Sequence, residues 1–151
     1  MKAKINKAVK FREAFRPFAP VVLREKTSEY FGADTSSPYM LFNFEVKESK
    51  RAVIPAVTHR DNTARIQTVN RTDNRPLYDI IKEFERVTGV PVLLNTSFNL
   101  RGRPIVRTPR EAFATFISSG IDILVLENFV IEKTGLDIDR FERFRLSTRR
   151  D

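Results

Sequence analysis

The stretch that decides the fold class is "TDNRPLYDIIKEFERVTGVPVLLNTSFN", residues 72–99. Between Leu77 and Val87 its apolar residues recur at three- and four-residue spacing, which predicts an amphipathic helix. Residues suited to the cap, the first turn and the end of such a helix are Asp73 or Asn74, Pro76 and Gly89.

The run "VPVLL" at 90–94 follows this helix and is short and continuously apolar, which predicts a strand in the interior of a sheet. The strand then ends in polar residues around Phe98. In an extended chain, Ser97 and Asn99 point to one side and Phe98 points into the core. Two further polar residues lie at this end: Asn95 and Thr96.

The remaining elements also alternate between helix and strand. A second helix is predicted from Thr108 to Gly120, and a hairpin over 123–133 turns at Glu127 and Asn128, with Asn128 suited to positive φ. We further predict strands within 39–47, 51–59 and 64–70 and a short helix near "SEYFG", residues 28–32. The predicted fold is a single α/β domain, a twisted mixed β-sheet with flanking helices.

Composition limits the possible classes of protein. The chain has 151 residues, enough for one domain with a full hydrophobic core. It has no cysteine, which excludes disulfides and a thiol nucleophile. No apolar run approaches a membrane span, and the basic N-terminus lacks the apolar region of a signal peptide, so we predict a cytoplasmic protein.

The formal net charge of +8 favours anionic partners. Positive charge is concentrated at the start of the chain, where Glu13 is the only acidic residue among six basic ones: Lys2, Lys4, Lys7, Lys10, Arg12 and Arg16. This segment is a candidate anion-binding surface. For Lys2, Lys4 and Lys7 we favour the alternative of a solvated basic leader.

Three segments each place two polar residues at period two around an apolar one, which could build a polar pocket on an apolar floor. Arg offers a planar fork for phosphate oxygens, Lys a compact charge, and Ser and Asn neutral hydrogen bonds, so the set suits a phosphate-bearing ligand. The three pairs are Lys10 with Arg12, Arg65 with Gln67, and Ser97 with Asn99.

The sequence offers no acid-base pair, because His59 is its only histidine, and no spacing typical of metal ligands. Catalysis would therefore depend on positioning and charge stabilisation. Each motif alone also has a structural interpretation: a solvated edge strand for Lys10 and Arg12, turn formation for Ser97 and Asn99, and a structural role for His59.

The order K-F-R … S-F-N resembles the Lys-x-Arg … Ser-x-Asn signature of YrdC domains, which make carbamoyl-type adenylates from ATP. More closely, "KFREAFRPFAPVVL", "SPYM", "IPAVTHRDNTARIQTV" and "TGVPVLLNTSFNLRGRPIVRTPREAFATFISSGIDILVLENFVIEK" resemble the C-terminal domain of O-carbamoyltransferases of the nodulation and antibiotic-biosynthesis type. The resemblance runs from Lys10 to Lys133 and implies a YrdC-like fold.

This resemblance implies an ATP-dependent half-reaction with carbamoyl phosphate that forms carbamoyl adenylate, with Mg²⁺ accompanying ATP. It would assign Lys10 and Arg12 to carbamoyl phosphate or the reacting phosphates, and Arg65 to the developing phosphoryl charge. Ser97 and Asn99 would hold nucleotide phosphates or their magnesium. Asn95 would contact the nucleotide. Arg16 and His59 are second-rank candidates for the site.

Two positions depart from the family pattern, because Asn62 and Glu127 replace glycines that are usual there. The resemblance also implies three parts: a basic leader or fragment boundary at 1–9, the YrdC-like domain at 10–133, and a charged, Phe-containing tail at 134–151. We expect a fragment of a longer protein whose N-terminal domain, with a metal site and the pocket for the hydroxyl acceptor, completes carbamoyl transfer.

Two other classes of function remain open. A basic YrdC-type module could bind RNA backbones, and such binding would weaken steeply with salt and ignore which nucleotide competes. A degenerate interaction domain would bind no nucleotide at all.

Overall fold

The computed structural model describes residues 1–136, so most of the predicted tail at 134–151 lies outside the described residues. Within them, π-helical Asn6–Lys10 and 3₁₀-helical Arg24–Lys26 add to five α-helices: α1 (Lys2–Ile5), α2 (Thr27–Tyr30), α3 (Glu48–Arg51), α4 (Arg75–Thr88) and α5 (Pro109–Ile117). The strands are β1 (Ala19–Leu23), β2 (Asn43–Glu45), β3 (Thr63–Arg65), β4 (Gln67–Val69), β5 (Val92–Asn95), β6 (Ile123–Leu126) and β7 (Phe129–Glu132).

The chain forms two compact units. The first contains Phe15–Thr96 together with Met1–Lys2, and the second contains Ala3–Ala14 and the described residues from Ser97 onward. The boundaries predicted after residues 9 and 133 rest on a family resemblance and stay predictions. No helix among residues 1–136 is long and apolar enough to cross a membrane.

The first unit is built on a mixed sheet in the order β4-β1-β5, where β1 runs parallel to β4 and antiparallel to β5. All five residues of β1 are buried. Pro20 has no backbone N–H and precedes Val21, the first residue of β1 that pairs with β4, so its missing donor lies outside the β1–β4 ladder. The core on this sheet contains Val21, Leu23, Val69 and Ile81. An α/β fold with a mixed sheet is confirmed, whereas its YrdC-like character stays a prediction.

The helix and the strand predicted within residues 72–99 are both present, but the predicted position of the strand in the sheet is wrong. Asn74 caps α4 by accepting a hydrogen bond from the Leu77 N–H at 3.1 Å, and Gly89 ends it with φ of 73°. The predicted interior strand is wrong in position, because β5 lies at the end of the sheet order and is only partly buried. The interior position belongs to β1, where no strand was predicted.

The strands predicted in the first half are shorter than expected. Of 39–47 only β2 is a strand, since Met40 takes φ of 57° and breaks the extension. The strand predicted at 51–59 is wrong: the Ile54 N–H bonds the Lys50 carbonyl in a turn that continues α3. Residues 64–70 divide into β3 and β4, which belong to different sheets.

The second unit contains α5 and the β6–β7 hairpin. Thr108 caps α5 by accepting from the Glu111 N–H at 3.2 Å, as predicted, but the helix ends at Ile117 rather than near Gly120. The hairpin is confirmed. Its positive φ falls on Glu127, at 51°, so the assignment of that conformation to Asn128 is wrong.

Candidate functional site

The side chain of Lys10 is buried in the second unit, with 6% of the residue exposed. Its Nζ donates to the main-chain oxygen of Ser97, to the main-chain oxygen of Asn99 at 3.1 Å and to Asn99 Oδ1 at 3.0 Å. Ser97 Oγ lies further away, at 3.4 Å. An ammonium group has three protons, so these oxygens use all of its donors.

The local fold around Lys10 depends on a buried asparagine. Asn6 is fully buried, accepts a hydrogen bond from Arg12 Nε at 2.7 Å on its Oδ1, and accepts one from the Arg12 N–H at 3.0 Å on its carbonyl. The chain turns between these residues, because Phe11 takes the left-handed conformation with φ of 48°. The prediction of an extended K-F-R with Phe11 buried is therefore wrong: Phe11 is 47% exposed.

Ser97 and Asn99 do share one side of the chain, as predicted. Ser97 Oγ donates to Asn99 Oδ1 at 2.7 Å, and Asn99 Nδ2 donates to the Arg103 carbonyl at 2.9 Å. The segment is not an extended strand, because the Asn99 N–H bonds the Ser97 carbonyl at 3.1 Å in a tight turn, and Phe98 is only half-buried.

We name Lys10, Arg12, Ser97, Asn99 and Arg101 the Lys10 cluster; Arg101 joins it by donating to the Phe11 carbonyl at 3.3 Å. Burial lowers the pKa of Lys10, and the positive charge of Arg12 lowers it further. Among residues 1–136, the acceptors bonded to Lys10 are all neutral oxygens. The cluster therefore holds the positive charges of Lys10 and Arg12 close together, and within the described residues no carboxylate is hydrogen-bonded to Lys10.

Two predicted site residues lie in the first unit instead. Arg65 is exposed at the end of β3, opposite Asn43 of β2. Asn95 ends β5, and its Nδ2 donates to Gln67 Oε1 at 2.5 Å. The predicted pairing of Arg65 with Gln67 is interrupted, since these residues belong to strands of different sheets around the fully buried Ile66.

The second-rank candidates also lie in the first unit. Burial lowers the pKa of His59, whose Nδ1 lies 3.3 Å from Thr63 Oγ1. Hydrogen bonds from the Thr63 hydroxyl and N–H, at 2.7 and 3.0 Å, lower the pKa of Asp61. These contacts place His59 and Asp61 in a hydrogen-bonded turn with Thr63. Arg16, the other second-rank candidate, is exposed.

A family model for the carbamoyltransferase C-terminus matches residues 1–133. The chain belongs to the carbamoyltransferase C-terminus family. The resemblance inferred from the sequence is confirmed, and the matched region begins nine residues before the Lys10 expected from the quoted motifs. It thus includes Asn6, which supports Arg12.

Curated relatives of this carbamoyltransferase C-terminal domain include nodulation proteins. Nodulation protein NolNO of Sinorhizobium fredii is 44% identical over 97% of the chain and 22% of its own length. Nodulation protein NolO of Bradyrhizobium diazoefficiens is 44% identical over 87% of the chain and 25% of its own length. An uncharacterized protein of Synechocystis is 45% identical over 89% and 25%. The chain thus spans about a quarter of the length of these relatives.

Sequence reasoning about this domain missed Asn6 and Arg101. Asn6 precedes Lys10 by four residues in a basic segment, so helical spacing could have placed both on one face. Arg101 follows Asn99 by two residues, and its charge was a usable signal. Nothing in the sequence indicates that Phe11, between Lys10 and Arg12, takes the left-handed conformation.

Proposed function

We propose that this chain is the adenylate-forming domain of an O-carbamoyltransferase and binds ATP, with Mg²⁺, and carbamoyl phosphate. The proposal is carried by one observation, the burial of the Lys10 ammonium beside the positive charge of Arg12 with neutral oxygens as its partners. Two positive charges held close together and partly shielded from water raise the free energy of the Lys10 cluster. A polyanion lowers it, and ATP and carbamoyl phosphate are both polyanions.

The proposed step is the one implied by the family resemblance. Hydrolysis of carbamoyl phosphate gives carbamate and inorganic phosphate. A carbamate oxygen then attacks the α-phosphorus of ATP, the bond from this phosphorus to the α,β-bridging oxygen breaks, and pyrophosphate leaves with the bonding electrons. Such transfer needs positioned donors and positive charge more than an acid or a base.

Within the Lys10 cluster the residues would divide the work. Asn99 Oδ1 already accepts from Lys10 and Ser97, so both of its lone pairs are used and it suits an anchor better than a magnesium ligand. No group of three or more carboxylate or histidine side chains among residues 1–136 is placed to hold a metal, so Mg²⁺ would arrive on the ATP phosphates. Arg12 and Arg101 would contact phosphate oxygens.

Other parts of the proposal concern a longer protein and residues outside this cluster. Arg65 is proposed to contact the developing phosphoryl charge and Asn95 the nucleotide. Transfer of the carbamoyl group to a hydroxyl acceptor is proposed to need an N-terminal domain with its own metal site, in a cytoplasmic protein. The length of the relatives, about four times that of the chain, supports this division.

The test is carbamoyl-phosphate-dependent exchange of labelled pyrophosphate into ATP, run beside melting curves with and without MgATP. We expect MgATP to raise the melting temperature and the exchange to be measurable. Ser97→Ala should weaken the apparent affinity for MgATP at least tenfold in both measurements. The matched control is Ser28→Ala, since Ser28 is exposed on α2 of the first unit. Absence of any MgATP effect in the unsubstituted chain would refute the proposal. RNA binding that falls steeply with salt and ignores ATP would favour the nucleic-acid alternative.

A further inference from the structure

A tight turn in the second unit presents two arginine side chains, those of Arg101 and Arg103. The Arg103 N–H bonds the Leu100 carbonyl at 3.1 Å and closes the turn. Gly102 occupies the third position of the turn with φ of 72°, a conformation that favours glycine there. Both arginines are exposed. The local backbone thus holds two cationic side chains at the surface of this unit.

The side chain of Asn99 connects this turn to the buried ammonium group of the Lys10 cluster. Asn99 Oδ1 accepts from Lys10 Nζ at 3.0 Å, and Asn99 Nδ2 donates to the Arg103 carbonyl at 2.9 Å. Because an ammonium group can only donate and a carbonyl can only accept, the amide of Asn99 has one possible orientation. Arg103 is therefore held through both of its main-chain groups, and two hydrogen bonds link its backbone to Lys10 Nζ.

The guanidinium group of Arg103 has no competing anion within the part of the chain that the structure describes. Its side chain makes no hydrogen bond or ion pair with any of residues 1–136. By contrast, Arg107 Nη2 lies 3.7 Å from Glu111 Oε1. No acidic residue occurs at positions 97–110. The positive charge of Arg103 is therefore available to an anionic ligand.

The two cations that Asn99 connects differ in exposure. Lys10 is buried, whereas Arg103 is exposed. In the proposed reaction the α-phosphate of ATP reacts and the two terminal phosphates leave as pyrophosphate. The leaving group must reach solvent, so the exposed cation matches the terminal phosphates and the buried cation matches the reacting end.

We propose that Arg103 binds the β- and γ-phosphates of ATP, the part of the nucleotide that leaves as pyrophosphate. A guanidinium group offers two parallel donors that match the oxygens of a phosphate. As the bond from the α-phosphorus to the α,β-bridging oxygen breaks, its electrons stay with pyrophosphate, and Arg103 stabilises the added negative charge. This inference rests on the proposed function, because it assigns a part of the same ATP site.

The test measures dissociation constants of ATP, AMP and inorganic pyrophosphate by calorimetry in the presence of Mg²⁺, for the unsubstituted chain and for Arg103→Gln. We expect the substitution to weaken the binding of ATP and pyrophosphate about tenfold, since a pair of charge-assisted hydrogen bonds is lost. AMP carries only the α-phosphate, so its affinity should stay within about twofold. Equal weakening of ATP and AMP, or no change in either, would overturn the inference.

The matched control is Arg107→Gln, which removes the same charge from an exposed position of the same unit. Arg107 pairs with Glu111, so its loss should change the affinity for ATP by no more than about twofold. Neither substitution removes a main-chain hydrogen bond, so both variants should keep the melting temperature of the unsubstituted chain without ligand. If the two glutamine variants weakened ATP equally, the overall positive field would explain the effect and the inference would be wrong.

Exchange of labelled pyrophosphate into ATP gives a second measurement. Arg103→Gln should raise the KM for pyrophosphate about tenfold, whereas the KM for carbamoyl phosphate should not change, because that substrate does not contain the leaving group. An equal rise in both KM values would indicate a general distortion of the site and overturn the inference. A chain that binds neither ATP nor pyrophosphate would overturn the proposed function, whereas binding and exchange that are insensitive to Arg103→Gln overturn only the role of Arg103.

Discussion

The Nζ atom of Lys10 lies 3.0 Å from Oδ1 of Asn99, which is 89 positions later in the chain. The contact joins the N-terminal segment to the turn after Thr96 within the second unit. Since all three protons of Lys10 are used on this turn, the side chain positions Ser97 and Asn99.

Replacement of Lys10 by methionine should loosen the turn at 97–103. Methionine keeps most of the apolar stem but removes the donors to the Ser97 and Asn99 oxygens, so we expect a loss of about 2–3 kcal/mol in the free energy of unfolding. Urea denaturation gives this value, and hydrogen exchange at Asn99 and Arg103 should accelerate.

The matched control is Lys7→Met, because Lys7 is exposed in the same helical segment. Its unfolding free energy should stay within about 0.5 kcal/mol of the unsubstituted chain. If the two methionine variants were equally stable, the positioning role of Lys10 would be excluded.

A residue without a Cβ is required at position 120 for the N-terminal segment to pack in the second unit. The Gly120 N–H donates to the Ala8 carbonyl at 2.6 Å, and a Cβ at Gly120 would lie 2.7 Å from Ala8 Cβ and 2.8 Å from the Ala8 carbonyl oxygen. Backbone atoms cannot yield as a flexible side chain can. Gly120→Ala should therefore lower the unfolding free energy by about 1–3 kcal/mol.

Gly32→Ala provides the comparison for this prediction. A Cβ there would meet nothing closer than Glu45 Cβ at 3.7 Å, an ordinary contact. Thermal denaturation should place this variant close to the unsubstituted chain and the Gly120 variant several degrees lower. A reversed order of melting temperatures would show that the contact of Gly120 with Ala8 does not form.

His59 should make the chain less stable as the pH falls below about 6.5. Burial lowers its pKa in the folded state, and the nearby Asp61 carboxylate offsets only part of this effect. The unfolded chain therefore takes up a proton first, at its ordinary pKa of about 6.5. The unfolding free energy should decline from there down to the lowered folded pKa and level off below it.

Because His59 is the only histidine, this dependence can be isolated. The imidazole resonance should titrate with a midpoint below 6.5, and His59→Gln should remove the slope of urea midpoints measured between pH 7.5 and 5.5. A titration midpoint at or above 6.5 would contradict the prediction.

Elements with strong local signals were predictable from the sequence. The cap at Asn74, the end of α4 at Gly89 and the cap at Thr108 depend on residues within a few positions of one another. The central strand was not predictable in this way, because Pro20 argues locally against a strand and the pairing of β1 with β4 and β5 joins residues far apart in the chain.

The candidate site was predictable in its residues but not in its geometry. Lys10, Ser97 and Asn99 were identified from period-two spacing, yet neither segment is extended, and they meet because Phe11 turns the chain and a tight turn follows Ser97. A contact 89 positions apart leaves no local pattern. The fully buried Asn6 was missed for the same reason, since its burial is a property of the packed unit.

The two positions where asparagine and glutamate replace the usual glycines both have positive φ, at 64° for Asn62 and 51° for Glu127. A left-handed conformation is unfavourable for a residue with a long side chain, whereas asparagine tolerates it. Glu127→Gly should therefore raise the unfolding free energy by about 0.5–1 kcal/mol, after allowance for the greater flexibility of glycine in the unfolded chain. Asn62→Gly should change it by less than about 0.5 kcal/mol. Melting temperatures of both variants give the comparison, and a Glu127 variant less stable than the unsubstituted chain would mean that the hairpin turn is not strained.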